Sequence, residues 1–462
     1  MKRLLLLSFV ISLIASISVI NSYAGIFYGW GNNADKQCGQ IGVNQSNFPL
    51  QADYDYSWTK LVAGKSYALG LKSDGSLWAW GLNWYGQLGL GNTDPYIVPT
   101  KLSGATNWVT VSSRDYHTLG IRTNKTLWAW GLNDNGQLGD GTNTIRRLPY
   151  TIGYDMDWVE VFAGRDYSFA IKENGTLWAW GDNRTYQLGL SDKQSRNVPT
   201  QVGNATDWQT IATGNYHVLG LKTDGSLWVW GGNSYGELGI GTAEPVAAPR
   251  LLSNDEWVSI SAGAYHSLAV NKDGTLWAWG YNHFGQLGTG DDEDRLVPTK
   301  IGNDTNWAKV FAGDYFSFAI KKDGSLWAWG LNDHGQLGLG NNEDTNTPQR
   351  INLYSDWVMV APGMGFAIAL RSGSVGVPNG YFASSLNFAP NPASDYLNIT
   401  SQSELGHCTI QIFDCLGQLV YSEAANLGNA YSLDITRLPV STYYLVITTE
   451  NGLTYREMFV KR

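Results

Sequence analysis

The sequence predicts an all-β chain, a seven-bladed β-propeller closed by both termini and followed by a small C-terminal β-sandwich. Three observations predict it. A tryptophan-rich phrase returns about every fifty residues, a second phrase returns out of step with it, and from Ser374 the tryptophans stop and the composition shifts. A period of this length marks a propeller or solenoid rather than two unrelated globular domains.

The first phrase is LWAWGLNWYGQLG at 77–89, and it recurs at 127, 177, 227, 276 and 326. A degenerate copy, IFYGWGNNADKQCG, follows residue 24, with Trp30 in the place of Trp80 and Cys38 in that of a leucine. Its Trp-Gly pairs start at 30, 80, 130, 180, 230, 279 and 329, a spacing of fifty with one single-residue deletion. The second phrase, patterned on W-x-x-V/I-x-A-G, has its tryptophans at 58, 108, 158, 208, 257, 307 and 357. With the Trp78-type residues added, this lattice accounts for all of the 21 tryptophans except Trp84.

Each unit reads as four short strands: one at W-x-x-V, one at Y/H-x-L-x-L-K, one at S-L-W-A-W-G and a last near V-P-T. Asp74-Gly75, Asn174-Gly175, Asp224-Gly225, Asp273-Gly274 and Asp323-Gly324 are hairpin signals between the second and third, because these residues accept positive φ. Proline at 49, 99, 149, 199, 249, 298 and 348 assigns the fourth strand to an edge, where a missing N–H is tolerated. Alternation along LWAWG sets Trp78 and Trp80 on one face and Leu77 with Ala79 on the other, so large residues of one blade face small ones of the next. The phrase at 357–373 has no LWAWG partner downstream, and residues 25–50 have no W-x-x-V partner upstream; together they complete one blade and remove the open edge.

Residues 1–24 carry Lys2 and Arg3, an apolar run from Leu4 to Ile20 and then Ser22-Tyr23-Ala24, the pattern of a signal peptide and its cleavage site. The chain is therefore expected to be exported. No other stretch reaches the roughly 20 apolar residues that cross a bilayer, which argues against an integral membrane protein. Cleavage would remove two positive charges and take the formal charge from -9 to about -11, which disfavours nucleic acid as a partner. Three cysteines make no disulfide framework: Cys38 stands at a buried apolar position, and Cys408 and Cys415 are separated along a strand and its turn, so all three are expected as thiols.

The repeat resembles that of the regulator of chromosome condensation family, seven-bladed propellers with A-G-x-x-H-x-L-A-L and W-G-x-N-x-x-G-Q-L-G signatures, over residues 25–373. The family includes a nuclear exchange factor for a small GTPase and a secreted bacterial inhibitor of β-lactamase, so the resemblance implies a binding fold without choosing a partner. A linker at 374–387 leads to residues 388–462, strand-like at TIQIFD, QLVYSEA, YSLDI, YYLVITT and LTYREMFV, with an Asn451-Gly452 hairpin signal. This tail resembles the C-terminal sorting domain of type IX secretion substrates through Pro390-Asn391-Pro392, Asp395 to Ile399, Phe413-Asp414 with Gly417, Leu438-Pro439 before Tyr443 and the basic end Lys461-Arg462. It departs from the pattern at Ser441, where many members have glycine. The resemblance implies a Gram-negative host, passage across the outer membrane and contact with the secretion machinery through residues 388–462.

No catalytic constellation breaks the lattice. His117, His217 and His266 share one repeat position with Tyr67, Tyr167, Phe316 and Phe366, an interchange that argues for packing over metal ligation or base catalysis. Asp291-Asp292-Glu293-Asp294 lacks the alternating ligands and central glycine of a calcium loop and reads as a solvated charge run. No phosphate loop, zinc spacing or serine elbow occurs, so no catalytic residue, metal or cofactor is expected. If the four strands alternate in direction, the loops after the first and third share one rim. That rim would present Tyr116, Tyr216, Tyr265 and Tyr315 from one set and Trp84, Tyr85, Tyr235, His283, Phe284 and His334 from the other, with Asn135 and Arg184 among them. Such a mixture suits a ligand-binding surface for a protein or glycan, although the tyrosines could instead seal the ring. The function expected is a secreted or cell-surface, non-catalytic binding propeller. Exchange-factor activity and enzyme inhibition are the alternatives by family analogy.

Overall fold

The computed structural model describes residues 25–462 apart from 54, 56, 105, 353, 373–385, 391, 402–403, 414–418 and 450–453. The expected signal peptide at 1–24, most of the linker, Cys415 and the Asn451-Gly452 turn lie outside the described residues. Among those described, every regular element is a strand, and no helix is long and apolar enough to cross a membrane.

Seven four-stranded antiparallel sheets form the blades of a propeller. Blade 1 runs through Trp58–Ala63, Tyr67–Lys72, Leu77–Gly81 and Tyr96–Lys101, and blades 2 to 6 repeat that order. The prolines do lie in the fourth, outer strands, where the register slips between the Ala79 and Gly81 positions of the third strand. Gly75 takes φ +75 in the expected hairpin, while the Asp74 carboxylate accepts the Ser76 amide at 2.8 Å. The glycine that ends LWAWG is obligatory for a second reason: at φ +96, Gly81 would place a Cβ 2.7 Å from the Ser66 carbonyl and the Tyr67 Cα.

The two faces of LWAWG behave as the alternation requires. Leu77 and Ala79 pack with Trp108 and Trp130 of the next blade. Trp80 faces the other way, into a cluster with Phe27, Trp58, Ala68 and Phe366. The two tryptophans of the phrase differ in burial, however. Trp80 and its six counterparts are 0 % exposed, whereas Trp78 is only half-buried, its edge against Trp58 and the Lys72 ammonium 4.1 Å from its ring.

Each fully buried tryptophan also carries a hydrogen bond to its neighbour. The indole of Trp80 donates to the Gln37 carbonyl at 2.9 Å, and those of Trp130, Trp180, Trp230, Trp279 and Trp329 donate to the corresponding carbonyls of the preceding blades. The ring closes with Trp30 donating to Gln336 at 2.8 Å across 306 residues.

Blade 7 combines the two ends of the propeller segment, in the order Gln45–Gln51, Ile26–Asn32, Phe366–Arg371, Trp357–Pro362. Tyr28 pairs with Ala369 and Trp30 with Ala367, and the Trp30 ring lies 6.0 Å from that of Trp357. The Cys38 thiol is buried and free, donating to the Trp30 and Asn32 carbonyls at 3.3 Å.

The tail is a small sandwich. A three-stranded sheet (Asn387–Ala389, Tyr396–Thr400, Ala430–Asp434) and a four-stranded one (Leu419–Leu427, Gly406–Phe413, Ser441–Thr449, Thr454–Lys461) share a core. In it Leu397, Ile399 and Leu433 meet Ile410, Ile412, Leu445 and Phe459. Cys408 is buried there, and the Tyr443 hydroxyl donates to the Pro439 carbonyl at 2.8 Å, which ties the Leu438-Pro439 turn to the strand after it.

Blade 7 predicts a sharp asymmetry in truncation. A chain ending at 350 loses both C-terminal strands of the closing sheet and the packing of Trp30, and should not melt cooperatively. A chain ending at 375 should melt like the propeller of the full protein. Trp80→Ala should cost about 3–5 kcal/mol, the range for a buried aromatic truncated in a core. Equal melting temperatures for the two truncations, read by circular dichroism, would show an open ring.

Candidate binding site

The loops of the W-G-x-N-x-x-G-Q-L-G phrase are fastened by their own side chains. Asn83 accepts the Leu88 amide at 3.0 Å and donates to the Asn92 carbonyl at 3.1 Å, and Gln87 accepts the Tyr85 amide at 2.9 Å. The same bonds recur at Asn133, Asn183, Asn233, Asn282 and Asn332. Each loop therefore presents its variable positions, those of Leu82, Trp84 and Tyr85, on a rigid frame.

Those loops and the loops after the first strands do share one face, because their aromatic rings touch. Tyr235, from a third-strand loop of blade 4, lies 5.3 Å by ring centroid from Tyr265, in a first-strand loop of blade 5. Phe284 of blade 5 lies 5.3 Å from Tyr315 of blade 6. Tyr265 continues the contact to Tyr216 and Tyr315, each at 6.3 Å.

At the centre of this patch stands Tyr281, which the sequence reading did not single out. Its ring is 4.8 Å from Tyr235, 4.5 Å from His283, 6.1 Å from Tyr315 and 6.2 Å from Phe284. Leu82, Leu132 and Leu331 occupy its repeat position, so comparing that column would have exposed it. Six of the expected rim residues thus join Tyr281 in one patch across blades 4 to 6: Tyr216, Tyr235, Tyr265, His283, Phe284 and Tyr315. Tyr85 and Tyr116 pair separately at 4.9 Å, near blade 1. Trp84 is 64 % exposed beside them, and His334 sits by Asp333 at 2.8 Å.

Inside the ring of first-strand loops lies a central funnel enclosing about 840 Å³, counting its open mouth, with all seven blades contributing to its wall. One residue interrupts its symmetry. The second phrase ends in glycine in six copies, and at Gly64 an added Cβ would lie 1.9 Å from the Tyr67 ring. In blade 2 the position holds Arg114, whose guanidinium crosses the funnel to the Thr213 and Ala262 carbonyls and stands 3.7 Å from Asp314 of blade 6. Burial, with Asp115 nearby, raises the Asp314 carboxyl above its ordinary range against the pull of Arg114. The sequence reading followed the tryptophans of this phrase and passed over Arg114.

The histidines are packing residues. His117 Nε2 meets Ser168 Oγ at 2.9 Å, His217 meets Ser267 at 3.1 Å and His266 meets Ser317 at 3.0 Å, each serine belonging to the next blade. Where the position is phenylalanine, the facing residue is alanine: Phe316 packs with Ala367 and Phe366 with Ala68. Burial pushes all three imidazoles down to about 3. Among the described residues no group of three or more histidine, cysteine or acidic side chains is placed to hold a metal. The acidic run is more ordered than a solvated charge run: Asp291 pairs with Arg295, and Asp294 accepts the Asn282 amide at 2.7 Å, while Asp292 and Glu293 stay exposed.

A family model described as RCC1-like domain matches residues 11–309, and RCC1 repeat models match 307–336 and 323–370. The model of the secretion system C-terminal sorting domain matches 387–461. Human WBSCR16 superposes with a TM-score of 0.70 at 22% identity, covering 76% of this chain and 100% of its own. Yeast RCC1 (Prp20), solved bound to Kap60, gives 0.70 at 22% over 80% and 96%. Prp20p of Saccharomyces cerevisiae, a structure reported with its binding to Gsp1p and histones, gives 0.68 at 23% over 76% and 93%. No curated protein matches the chain.

The buried histidines fix a pH dependence. Folded, they stay neutral down to about pH 3; unfolded, they take up protons below about 6.5. Their contribution is complete above pH 6.5 and is lost as pH falls toward 3, at up to about 1.4 kcal/mol per pH unit for each histidine. Combining His266→Phe with Ser317→Ala rebuilds the Phe316 and Ala367 pair and should remove one third of that slope. Urea midpoints measured between pH 4 and 7 check this, and an unchanged slope would show that His266 does not titrate on unfolding.

Proposed function

Because the chain belongs to the RCC1-like domain family and carries a secretion system sorting domain at its C-terminal end, we propose that it is an exported, non-catalytic binding propeller displayed on or released from a Gram-negative cell. Residues 25–373 would be the binding domain, and residues 388–462 the address read by the type IX machinery. The observation that carries the binding reading is the continuous aromatic patch of blades 4 to 6, built from loops that hydrogen-bond themselves rigid. Rigid, amphipathic tyrosines supply contact area at low entropic cost, and a ligand meeting them gives up little order on its own side. Trp84 with Tyr85 and Tyr116 forms an outlying contact on the same reading.

Exchange-factor activity by analogy with yeast Prp20 is the weaker reading. The repeats keep a period of 49 to 50 residues with no inserted loop to wedge into a GTPase, and the likeness, at 22–23% identity, supports the fold alone.

Two outcomes test the proposal. Deleting residues 388–462 should leave a folded propeller that accumulates in the periplasm, because its blades do not draw on the tail's core; normal surface or medium levels would remove the sorting reading. In capture from the host's extracellular fraction by the full exported chain, Tyr265→Ser should weaken the partner by about 2 kcal/mol or more, as for a central aromatic anchor. Serine already occupies that loop position at Ser66, so the melting temperature should hold. Trp84→Ala should weaken capture less. Capture unchanged by Tyr265→Ser would move the binding face elsewhere.

A further inference from the structure

We infer that the blade 4 to 6 patch recognises a cationic side chain, a lysine or arginine on a basic segment of a protein partner; the inference rests on the binding reading above. Charge complementarity favours such a ligand. Tyr235, Tyr265, Tyr281, Phe284 and Tyr315 turn their rings toward one another at 4.8 to 6.5 Å, mostly edge to face, so that their faces wall a shared surface. Carboxylates flank its outer side, while on the funnel side Asp314, next to Tyr315, is already held by Arg114 at 3.7 Å. On the outer side, Asp292 and Asp344 line a hollow of about 520 Å³, counting open solvent, with His283 and Phe284, and Asp294 lies 4.0 Å from His283.

In most other blades this chain supplies its own cation to the aromatic pair, blade 5, where Asn271 stands at that position beside Trp257 and Trp277, being the exception. Lys72, Arg122, Lys172, Lys222 and Lys321 each lie over two tryptophans, and Arg165 lies over Tyr216 with its Nη1 donating to the Tyr216 hydroxyl at 2.7 Å. Among the described residues no lysine or arginine lies over Tyr235, Tyr265, Tyr281, Phe284 or Tyr315. Ring faces with nearby carboxylates and no cation of their own attract one from outside, and desolvation on docking strengthens the contact.

Calorimetry on the full exported chain tests this with three probes: an arginine- and lysine-rich peptide, its glutamate counterpart and a neutral cello-oligosaccharide. The basic peptide should bind, more weakly as salt is raised, and the other two should not. Tyr281→Leu, a residue the repeat already accepts at that position, should weaken it at least tenfold, and Tyr281→Phe should stay within about twofold. Asp292→Asn with Asp344→Asn keeps the loop hydrogen bonds, removes two charges and should weaken it several-fold. Cello-oligosaccharide binding lost in Tyr281→Leu, with no peptide binding, would overturn the cationic ligand and leave the rim as a binding face. Peptide binding indifferent to Tyr281→Leu would reduce it to general attraction by an acidic protein, and no binding of the basic peptide would end the inference.

Discussion

One hydrogen bond, repeated seven times, carries the architecture: the indole of the Trp-Gly tryptophan donating to a backbone carbonyl of the blade before it. Each bond sits where the ring is 0 % exposed, so leaving it unmade would strand a buried donor at a cost of roughly 1–3 kcal/mol. The acceptor belongs to the Gln or Glu of the G-Q-L-G loop, and it can be reached only if that loop is folded and pressed against the next blade. Blade stacking and loop conformation are therefore a single event. The rim inherits its rigidity from this, and positions such as Tyr281 and Tyr265 are free to vary because nothing in the frame depends on them.

Nearer the axis the blades are matched by pairs. Histidine meets serine and phenylalanine meets alanine, while the Tyr167 hydroxyl reaches backbone carbonyls of blade 4 with Val218 as its neighbour. Each imidazole at this depth has its Nε2 matched by a serine across the blade junction. The interchange of aromatic types along the repeat is thus covariation inside one chain, and it explains why histidines recur without any chemistry attached to them.

Much of the fold was legible because the features that build it are local or periodic. The Asp-Gly hairpins, the outer-strand prolines, the alternation of LWAWG and the two half-blades at the ends of the propeller segment can all be read along the chain. The patch was legible only in part. Tyr235 and Tyr281 are far apart in sequence and belong to different blades, and only the angle between blades brings their rings to 4.8 Å. Trp84 stood out as the tryptophan the lattice does not need, and it is exposed as that implies, yet the larger aromatic surface forms two to three blades away around the ring. Arg114 escaped for the opposite reason: its phrase was recognised by its tryptophan, and the glycine it replaces lies at the other end of the strand.

Blade 7 gives the molecule a history as well as a shape. Ile26–Asn32 is one of the most buried strands in the ring, yet its partner Phe366–Arg371 emerges some 340 residues after it. Until then it pairs only with Gln45–Gln51, and its other edge stays open, a state that invites aggregation and slows folding. The sandwich at 387–461 follows the closing strand in the chain, so by the time it has emerged, everything needed to shut the ring is already present. Order of synthesis alone thus sets a complete set of blades ahead of the sorting domain.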